Sequence, residues 1–337
     1  MENNKRILRI ASFNVLNLIL PETVYYQKSS YSKEDFEKKI NWIAQMLQEM
    51  NADIVGFQEV FQKEALEQAI ARSGIYEGAA LTMGENGPNL PRVALLSRFP
   101  VNKSKIIDTF PENSIIDVEN EITNEKVVLP YKKFSRPVLN VEVEISKGQI
   151  INFYVIHLKS KRPHLLDNEQ RENHVQLAKA TARSLFVRAS EAVALRSILM
   201  ENLLNKKSPV VVMGDGNDTG LSVTTRLLTG EPPFRTMPMN VKKNIWDVLL
   251  YQVQDIQARN SYNDYYYTHI HNGHYEALDH IMVSEELVGE NPESIGRVSY
   301  VKLYNDHLID NTLTNEKTKC WKTDHGLVCV TIELKQV

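Results

Sequence analysis

Short apolar runs separated by polar residues recur along the whole chain, and most of these runs are rich in Val, Ile or Leu. Several alternate apolar with polar positions, which is the period of a β-strand with one buried face. The pattern predicts nine strands, over residues 7–13, 54–57, 93–97, 138–145, 150–157, 210–213, 278–283, 298–303 and 326–334.

A second pattern, in which apolar residues recur at helical spacing, predicts helices over residues 33–50, 63–73 and 168–205. The last of these segments is rich in Ala and Leu and has no interior Gly or Pro. A short helix is expected at 222–228, before a loop marked by three prolines. Residues 265–280 are interpreted as a hairpin around Asn272-Gly273, because this dipeptide favours a tight turn.

The mixture of strands and helices indicates the architecture. Strands interspersed with helices, with several neighbours arranged as hairpins, predict an α/β fold of two stacked mixed β-sheets flanked by helices. No internal repeat, low-complexity tract or linker divides the 337 residues. A single catalytic domain over 1–337 is therefore expected.

Composition narrows the class of protein only slightly. With 42% hydrophobic and 24% charged residues, the chain has the composition of an ordinary globular protein. Its net charge of -3 gives no overall attraction to nucleic acid or an anionic membrane, although a local basic patch is compatible with it. No segment suits a signal peptide or a membrane span, so a cytoplasmic monomer without stable membrane association is expected. The two cysteines, Cys320 and Cys329, are interpreted as ordinary thiols.

The most informative feature is the abrupt end of an apolar run in Gly214-Asp215-Gly216-Asn217-Asp218. A buried strand at 210–213 would deliver a carboxylate and a carboxamide to the rim of a sheet. Asp215 could hold or deprotonate an attacking water, while Asn217 holds a phosphate. Asp218 is predicted to be the N-cap of the next helix. Asp-Gly alone is often only a turn, so the functional interpretation of this motif depends on the polar residues at the ends of other strands.

Three further strands end in groups suited to metal or phosphate. Asn14 follows the first strand, where it could orient a phosphate or shape the turn. Glu59 follows the second, where a carboxylate suits Mg²⁺, which takes few protein carboxylates and keeps waters that a phosphate can displace. His157 ends the strand at 150–157, close to Lys159, and both could bind a phosphate. The alternative for them is a hydrogen-bonded core histidine and a solvated loop.

Two Asp-His pairs complete the set of polar strand ends. Asp279-His280 and Asp324-His325 each offer a carboxylate for a metal and an imidazole for proton transfer. A carboxylate from another strand can fix the tautomer of such an imidazole and raise its basicity. Each pair alone is common by chance, but all of these groups together at strand ends are not.

Some other polar residues are given weaker interpretations. Arg136, just before a strand, could reach the phosphate or form an ordinary ion pair. His269, His271 and His274 flank the Asn-Gly turn and are interpreted as exposed or rim residues. His307 is likewise given a place at the rim.

Taken in this order, the residues resemble the endonuclease/exonuclease/phosphatase superfamily, which includes deoxyribonuclease I, exonuclease III and the neutral sphingomyelinases. The resemblance runs from Ala11 to about Thr331, and its most specific parts are the Gly-Asp-x-Asn and Thr-Asp-His motifs. It implies a four-layer α/β sandwich whose strand-end loops form the site. It also implies Mg²⁺, sometimes Mn²⁺, and the hydrolysis of a phosphoester.

The resemblance also implies a role for each matching position. His157 stands where exonuclease III-like members tend to carry tyrosine, which argues against an abasic-site repair enzyme. Asp279 is similar to the carboxylate that orients the catalytic histidine, here His325. The implied catalytic residues are His157, Asp215, Asn217, Asp279 and His325, the substrate-binding residues are Asn14, Arg136 and Lys159, and the metal ligands are Glu59, Asp324 and Asn14.

The leading prediction is a Mg²⁺-dependent phosphodiester hydrolase acting on nucleic acid, that is, a nuclease. The alternative is a phosphatase or a phospholipase-like or sphingomyelinase-like hydrolase of a small or lipid phosphoester. The negative net charge weighs against the first, and the lack of an amphipathic membrane-binding segment weighs against a lipid substrate. A non-catalytic binding module is disfavoured, because every expected catalytic residue type is present.

Overall fold

The computed structural model of the protein describes residues 6–26, 28–29, 31–87, 90–119, 122–204, 208–260, 266–316 and 319–335. The α-helices in these residues are α1 (Lys33–Met50), α2 (Lys63–Ser73), α3 (His174–Leu203), α4 (Val223–Thr229), α5 (Met239–Trp246) and α6 (Val253–Asn260). The strands are β1 (Arg6–Leu18), β2 (Val24–Tyr25), β3 (Lys28–Ser29), β4 (Ile54–Val60), β5 (Ala80–Met83), β6 (Arg92–Ser97), β7 (Val101–Thr109), β8 (Asp117–Glu119), β9 (Lys126–Val128), β10 (Lys133–Ser146), β11 (Gln149–His157), β12 (Val210–Asp215), β13 (Tyr251–Gln252), β14 (His269–His271), β15 (His274–Glu276), β16 (Asp279–Val283), β17 (Gly296–Tyr304) and β18 (Leu327–Leu334).

Two six-stranded mixed sheets form the centre of the fold. The strand order is β17-β18-β1-β4-β6-β5 in the first sheet and β13-β16-β12-β11-β10-β7 in the second. Each sheet contains one parallel pair, β1 with β4 and β11 with β12. The other neighbours in the two sheets run antiparallel.

Three apolar layers hold the sheets and helices together. Between the sheets, Ile10 of the first packs in one buried cluster with Phe153 of the second. The outer face of the first sheet, including Phe57, is covered by α1 through residues such as Leu47. The outer face of the second sheet is covered by α3, through residues such as Leu195. The order is helix, sheet, sheet, helix, so the predicted four-layer α/β sandwich is confirmed.

The predicted elements agree closely with those observed. All nine predicted strands are present within a few residues, and α1 and α2 have the predicted bounds. Helix α3 begins later than predicted because the side chain of Asn173 caps it, accepting from the N–H groups of Val175 and Gln176. Asn272 and Gly273 both have positive φ, 49° and 75°, as a tight hairpin turn requires. Positions 205 and 265 of the predicted ranges lie outside the described residues.

Some elements carry no clear apolar pattern and were not predicted. Strand β7 is largely exposed and holds its conformation by pairing with β10 at the edge of the second sheet. Helix α5 buries none of its residues, and α6 is a short helix that packs against β13, β16 and β17. Within the described part of the chain, no helix is long and apolar enough to cross a membrane.

The topology brings the polar strand ends to one edge of the sandwich. The parallel strands β1 and β4 end near Asn14 and Glu59, and the parallel strands β11 and β12 end at His157 and Asp215. Strand β16 runs antiparallel to β12, so its first residue, Asp279, lies opposite Asp215. Strand β18 runs antiparallel to β1, and the Asp324-His325 segment that precedes it therefore reaches the same edge.

Candidate active site

One carboxylate oxygen, Oδ2 of Asp215, lies at the centre of the candidate site. Asn14 Nδ2 is 3.3 Å from it, His157 Nε2 is 3.4 Å from it, and His325 Nε2 is 3.9 Å from it. All four side chains are buried. They come from β1, β11, β12 and the segment before β18. The two sheets therefore place side chains that are distant in sequence around the same oxygen atom.

Burial and neighbouring charges give Asp215 and His325 unusual pKa values. The pKa of Asp215 is raised to about 7, chiefly by burial, while His325 opposes the shift and Asp279 reinforces it. Burial alone would lower the pKa of His325, but the carboxylates of Asp279 and Asp215 raise it well above its usual value. The two groups thus form a coupled carboxylate–imidazole pair, in which burial favours the protonated form of Asp215 and the neighbouring carboxylates favour the protonated form of His325.

Asp279 fixes the orientation of the His325 ring. Its Oδ2 atom lies 2.9 Å from His325 Nδ1, which leaves Nε2 facing Asp215. Asp279 is itself held at the start of β16, where the Thr268 hydroxyl accepts from the backbone N–H groups of Leu278 and Asp279. A carboxylate in this position holds the imidazole in one tautomer.

Two other histidines hold the backbone of the Asp324-His325 segment. His269 donates from Nδ1 to the carbonyl oxygen of Asp324 at 3.0 Å, and its ring lies 5.1 Å from that of His325. His307 donates from Nε2 to the carbonyl oxygen of His325 at 2.8 Å. His269 is partly exposed, with its ring packed against the segment, whereas His271 is exposed.

Glu59 is held in an uncommon backbone conformation. Its φ is 63°, and Leu16 and Asn17 in the facing loop also have positive φ, 49° and 50°. Glu59 Oε2 accepts from the backbone N–H of Asn17 at 2.9 Å, and Oε1 lies 3.4 Å from Asn14 Nδ2. Left-handed conformations in non-glycine residues are costly and cluster at functional sites, so this loop is a candidate for function.

Asn217 ties the end of β12 to the end of β11. Its backbone N–H donates to Asp215 Oδ1 at 2.8 Å, and its Nδ2 donates to the carbonyl oxygen of Leu158 at 3.0 Å. Its φ of 53° makes the sharp turn between these contacts. Asn217 thus lies next to Asp215, and its predicted contact with a phosphate stays a prediction.

The prediction that Asp218 caps the following helix is wrong. Ser222 is the N-cap of α4, since its side chain accepts from the backbone N–H of Thr225. Asp218 instead pairs with the buried Arg188 of α3 at 3.2 Å. The backbone carbonyl of Asp218 accepts from His280 Nε2 at 2.8 Å, so this ring nitrogen is already engaged in a hydrogen bond.

A group of cations lies on the His157 side of the site. Burial, with help from Arg136 and His325, holds the pKa of His157 well below its usual value, so its ring stays neutral. Arg136 Nη1 donates to the carbonyl oxygen of Leu158 at 3.1 Å. The amine of the half-buried Lys159 lies 3.4 Å from the carbonyl oxygen of Ser160 in its own loop.

The buried Glu191 of α3 positions this group of cations. Its two carboxylate oxygens each accept a backbone N–H at 2.7 Å, one from Ser135 and one from Lys159. Ser135 directly precedes Arg136, and Lys159 follows shortly after His157. One side chain from the helical layer therefore holds both loops. This role could not be predicted from the sequence, because Glu191 lies within a long helix whose polar residues look solvated.

The sequence profile described as the Endonuclease/Exonuclease/phosphatase family matches residues 11–325. The chain belongs to this family. The endonuclease/exonuclease/phosphatase resemblance inferred from the motifs is therefore confirmed. A comparison with curated protein sequences gives no significant match.

Solved structures of this family are similar in fold. A family protein from Bacteroides thetaiotaomicron has 16% identity and a TM-score of 0.54, with 99% of this chain and 100% of that chain covered. Truncated TDP2 from Caenorhabditis elegans has 14% identity and a TM-score of 0.52, with 97% of both chains covered. TDP2 from D. rerio, complexed with single strand DNA product, has 16% identity and a TM-score of 0.53, with 97% of this chain and 99% of that chain covered. At these identities the likeness shows the fold alone.

The donor chemistry of this family member fits a divalent cation. Oδ1 of Asp324 and Oδ1 of Asp279 are buried and have no hydrogen-bond partner among the described residues. Asp215, Asp279 and His325 offer ligand atoms within 4.8 Å of one another, a group that could hold a metal ion. Glu59 and Asn14 add oxygen ligands of the kind that Mg²⁺ prefers.

Proposed function

We propose that the protein hydrolyses phosphodiester bonds of nucleic acid with a bound Mg²⁺. The observation that carries the proposal is the convergence of one carboxamide and two imidazoles on Asp215 Oδ2. Phosphodiester hydrolysis needs donors for the phosphoryl oxygens, an activated water and stabilisation of the leaving oxygen. The family match and the DNA product bound to D. rerio TDP2 support this choice of reaction and substrate.

Glu59, Asp324 and Asn14 would hold the cation. Glu59 is 16% exposed, so its carboxylate remains accessible to substrate, whereas Oδ1 of Asp324 is buried and lacks a partner in the described part of the chain. When bound, Mg²⁺ neutralises charge on the phosphate and on the leaving oxygen. The group Asp215, Asp279 and His325 is already linked by the bond between His325 and Asp279, and we assign it to proton transfer instead.

Asp215 and His325 are the two groups that can take the proton of the attacking water. The separation of 3.9 Å lets a proton pass from one group to the other, and the raised pKa values make each a stronger base than an ordinary carboxylate or imidazole. Asp279 keeps the His325 ring in place while the proton moves.

His157, Asn14 and Asn217 orient the phosphate in this proposal. Because the pKa of His157 is low, its ring remains a neutral hydrogen-bond donor at neutral pH. Arg136, whose charge contributes to that low pKa, adds positive charge on the same side. His157 Nε2 lies 3.4 Å from Asp215 Oδ2 and 3.9 Å from Glu59 Oε1, so the proposed phosphate donors adjoin the proposed metal ligands.

A substrate panel tests the proposal. Plasmid DNA, single-stranded RNA and bis-p-nitrophenyl phosphate are each incubated with Mg²⁺, Mn²⁺ or EDTA. The wild type is compared with Glu59→Gln and with a matched control, Glu67→Gln, which changes an exposed residue of α2. We expect metal-dependent cleavage of nucleic acid by the wild type and Glu67→Gln, and its loss in Glu59→Gln.

The other outcomes revise the proposal in defined ways. Hydrolysis of the small ester alone would support a phosphatase or a small-molecule phosphodiesterase. No hydrolysis of any of the three substrates would favour a lipid phosphoester or a binding function. Full activity of Glu59→Gln would show that Glu59 is not a ligand of the metal.

A further inference from the structure

A groove of about 490 Å³ opens between α1, the end of β17 and the segment before β18, which also carries Asp324 and His325. Its walls carry three aromatic side chains from these three parts of the chain, Trp42, Tyr304 and Trp321. His307 lies at its inner end, with its ring 5.1 Å from that of Trp42. The roles proposed above for the active-site residues do not use this groove.

Lysine side chains occupy the outer aromatic faces. The amine of Lys302 lies 4.4 Å from the centre of the Tyr304 ring. The amines of Lys319 and Lys322 lie 5.3 Å and 5.2 Å from the ring of Trp321. These lysines form a local basic patch on a chain whose net charge is -3.

The charge pattern selects the chemistry of the ligand. Either kind of ligand would have to displace a lysine amine from the ring of Trp321. A quaternary ammonium would leave the displaced amine beside a second positive charge. A flat ring that carries a phosphate would stack on Trp321 and let the displaced amine pair with that phosphate. Glu49 and Asp306 also line the groove, so it carries acidic as well as basic side chains.

The groove is connected directly to the catalytic segment. His307, at its inner end, donates to the carbonyl oxygen of His325 at 2.8 Å. Lys322, in its wall, is two residues before Asp324, a proposed metal ligand. The groove and the candidate active site are therefore linked through the segment 321–325 and through His307.

We propose that this groove binds an unpaired nucleobase of the substrate, next to the scissile phosphate. The inference rests on the proposed function, and it narrows the substrate to nucleic acid with a single-stranded region. Bases inside a duplex are stacked and paired, so only an unpaired base can present its face to Trp321. Because stacking does not read base identity, the groove gives a preference for single strands without sequence specificity.

Binding in EDTA tests the inference separately from cleavage. A short fluorescein-labelled single-stranded DNA of mixed sequence is titrated with the wild type, Trp321→Ala, Trp321→Phe and Trp246→Ala, with anisotropy as the readout. Trp246 lies in α5, outside the groove, and serves as the matched control. Thermal unfolding of each variant shows that it is folded.

We expect Trp321→Ala to bind the single strand about ten-fold or more weakly than the wild type, since removing one stacking ring has this effect. Trp321→Phe should regain most of the affinity, and Trp246→Ala should bind as the wild type does. An excess of phosphocholine should not displace the labelled DNA, whereas the unlabelled single strand should displace it better than its duplex form.

Equal affinity of Trp321→Ala and the wild type would overturn the inference, as would displacement by phosphocholine or preference for the duplex. Wild-type hydrolysis of bis-p-nitrophenyl phosphate without binding of single-stranded DNA would overturn it too, while leaving the phosphodiesterase activity in place. Conversely, Trp321-dependent binding without hydrolysis of any substrate would support the groove and contradict the proposed catalysis.

Discussion

Lys39 offers a quantitative test of the electrostatics beneath the site. Its side chain is 0% exposed on α1, and its amine has no hydrogen-bond partner among the described residues. The amine lies 5.2 Å from the centre of the Tyr31 ring. Burial lowers its pKa from 10.5 to about 8, although the carboxylates of Glu59 and Asp324 oppose the shift.

The lowered pKa of Lys39 means that its buried amine, when charged, decreases the free energy of unfolding. Since each pKa unit is worth about 1.4 kcal/mol, the difference between 10.5 and about 8 corresponds to roughly 3 kcal/mol. Between these pH values the unfolded chain binds the proton and the folded chain does not, so stability rises with pH. Below pH 8 the full penalty is present, and above pH 10.5 it is absent.

We therefore expect Lys39→Met to raise the free energy of unfolding by roughly 3 kcal/mol at neutral pH. The difference from the wild type should shrink as the pH rises from 8 towards 10.5. Urea unfolding in EDTA, followed by tryptophan fluorescence, measures both quantities. Lys38→Met, at the neighbouring exposed position, is the control and should change stability little. A variant no more stable than the wild type, or a difference independent of pH, would refute the reasoning.

Three further substitutions test other contacts of the fold and the site. Asp279→Asn should lower the pKa of His325, which NMR titration of the imidazole in EDTA would show as a midpoint at lower pH. Glu191→Gln replaces one carboxylate oxygen with an amide NH₂, which cannot accept from the backbone N–H of Ser135 or Lys159. Urea unfolding should therefore show a free energy of unfolding lower by about 1–3 kcal/mol, and kcat should fall. Gly214→Ala places a Cβ 2.0 Å from the carbonyl oxygen of Ile156, so soluble yield and thermal stability should fall sharply. An unchanged midpoint, urea profile or melting temperature, respectively, would contradict each expectation.

The strands and helices of the core could be predicted from the sequence because their apolar periods are strong. Strand β12 is the clearest case, since a buried Val-Val-Val-Met run stops at Gly214-Asp215. Strand β7 could not be predicted, because an exposed edge strand has no apolar face and depends on pairing with β10. The prediction that Asp218 caps α4 was wrong because the partner of Asp218, Arg188, lies in α3, thirty residues earlier in the chain.

The residues of the candidate site also fall into those that could be predicted from the sequence and those that could not. Asn14, Asp215 and His325 could be selected because each sits at the end of an apolar run or in a recognisable motif. The supports of these residues could not be selected, because Glu191 and His269 act through backbone groups that only the folded chain brings near. Local sequence thus predicts the groups at strand ends, and long-range packing decides what holds them.

The central claim is that the cluster around Asp215 is a metal-dependent active site for phosphodiesters. The most direct measurement is the rate of single-stranded DNA cleavage with Mg²⁺ and with EDTA, for the wild type, His325→Ala and His271→Ala. His271 is an exposed histidine of the nearby hairpin and provides a matched control. We predict Mg²⁺-dependent cleavage by the wild type and His271→Ala, and none by His325→Ala. Cleavage by His325→Ala at the wild-type rate, or undiminished cleavage in EDTA, would contradict the account.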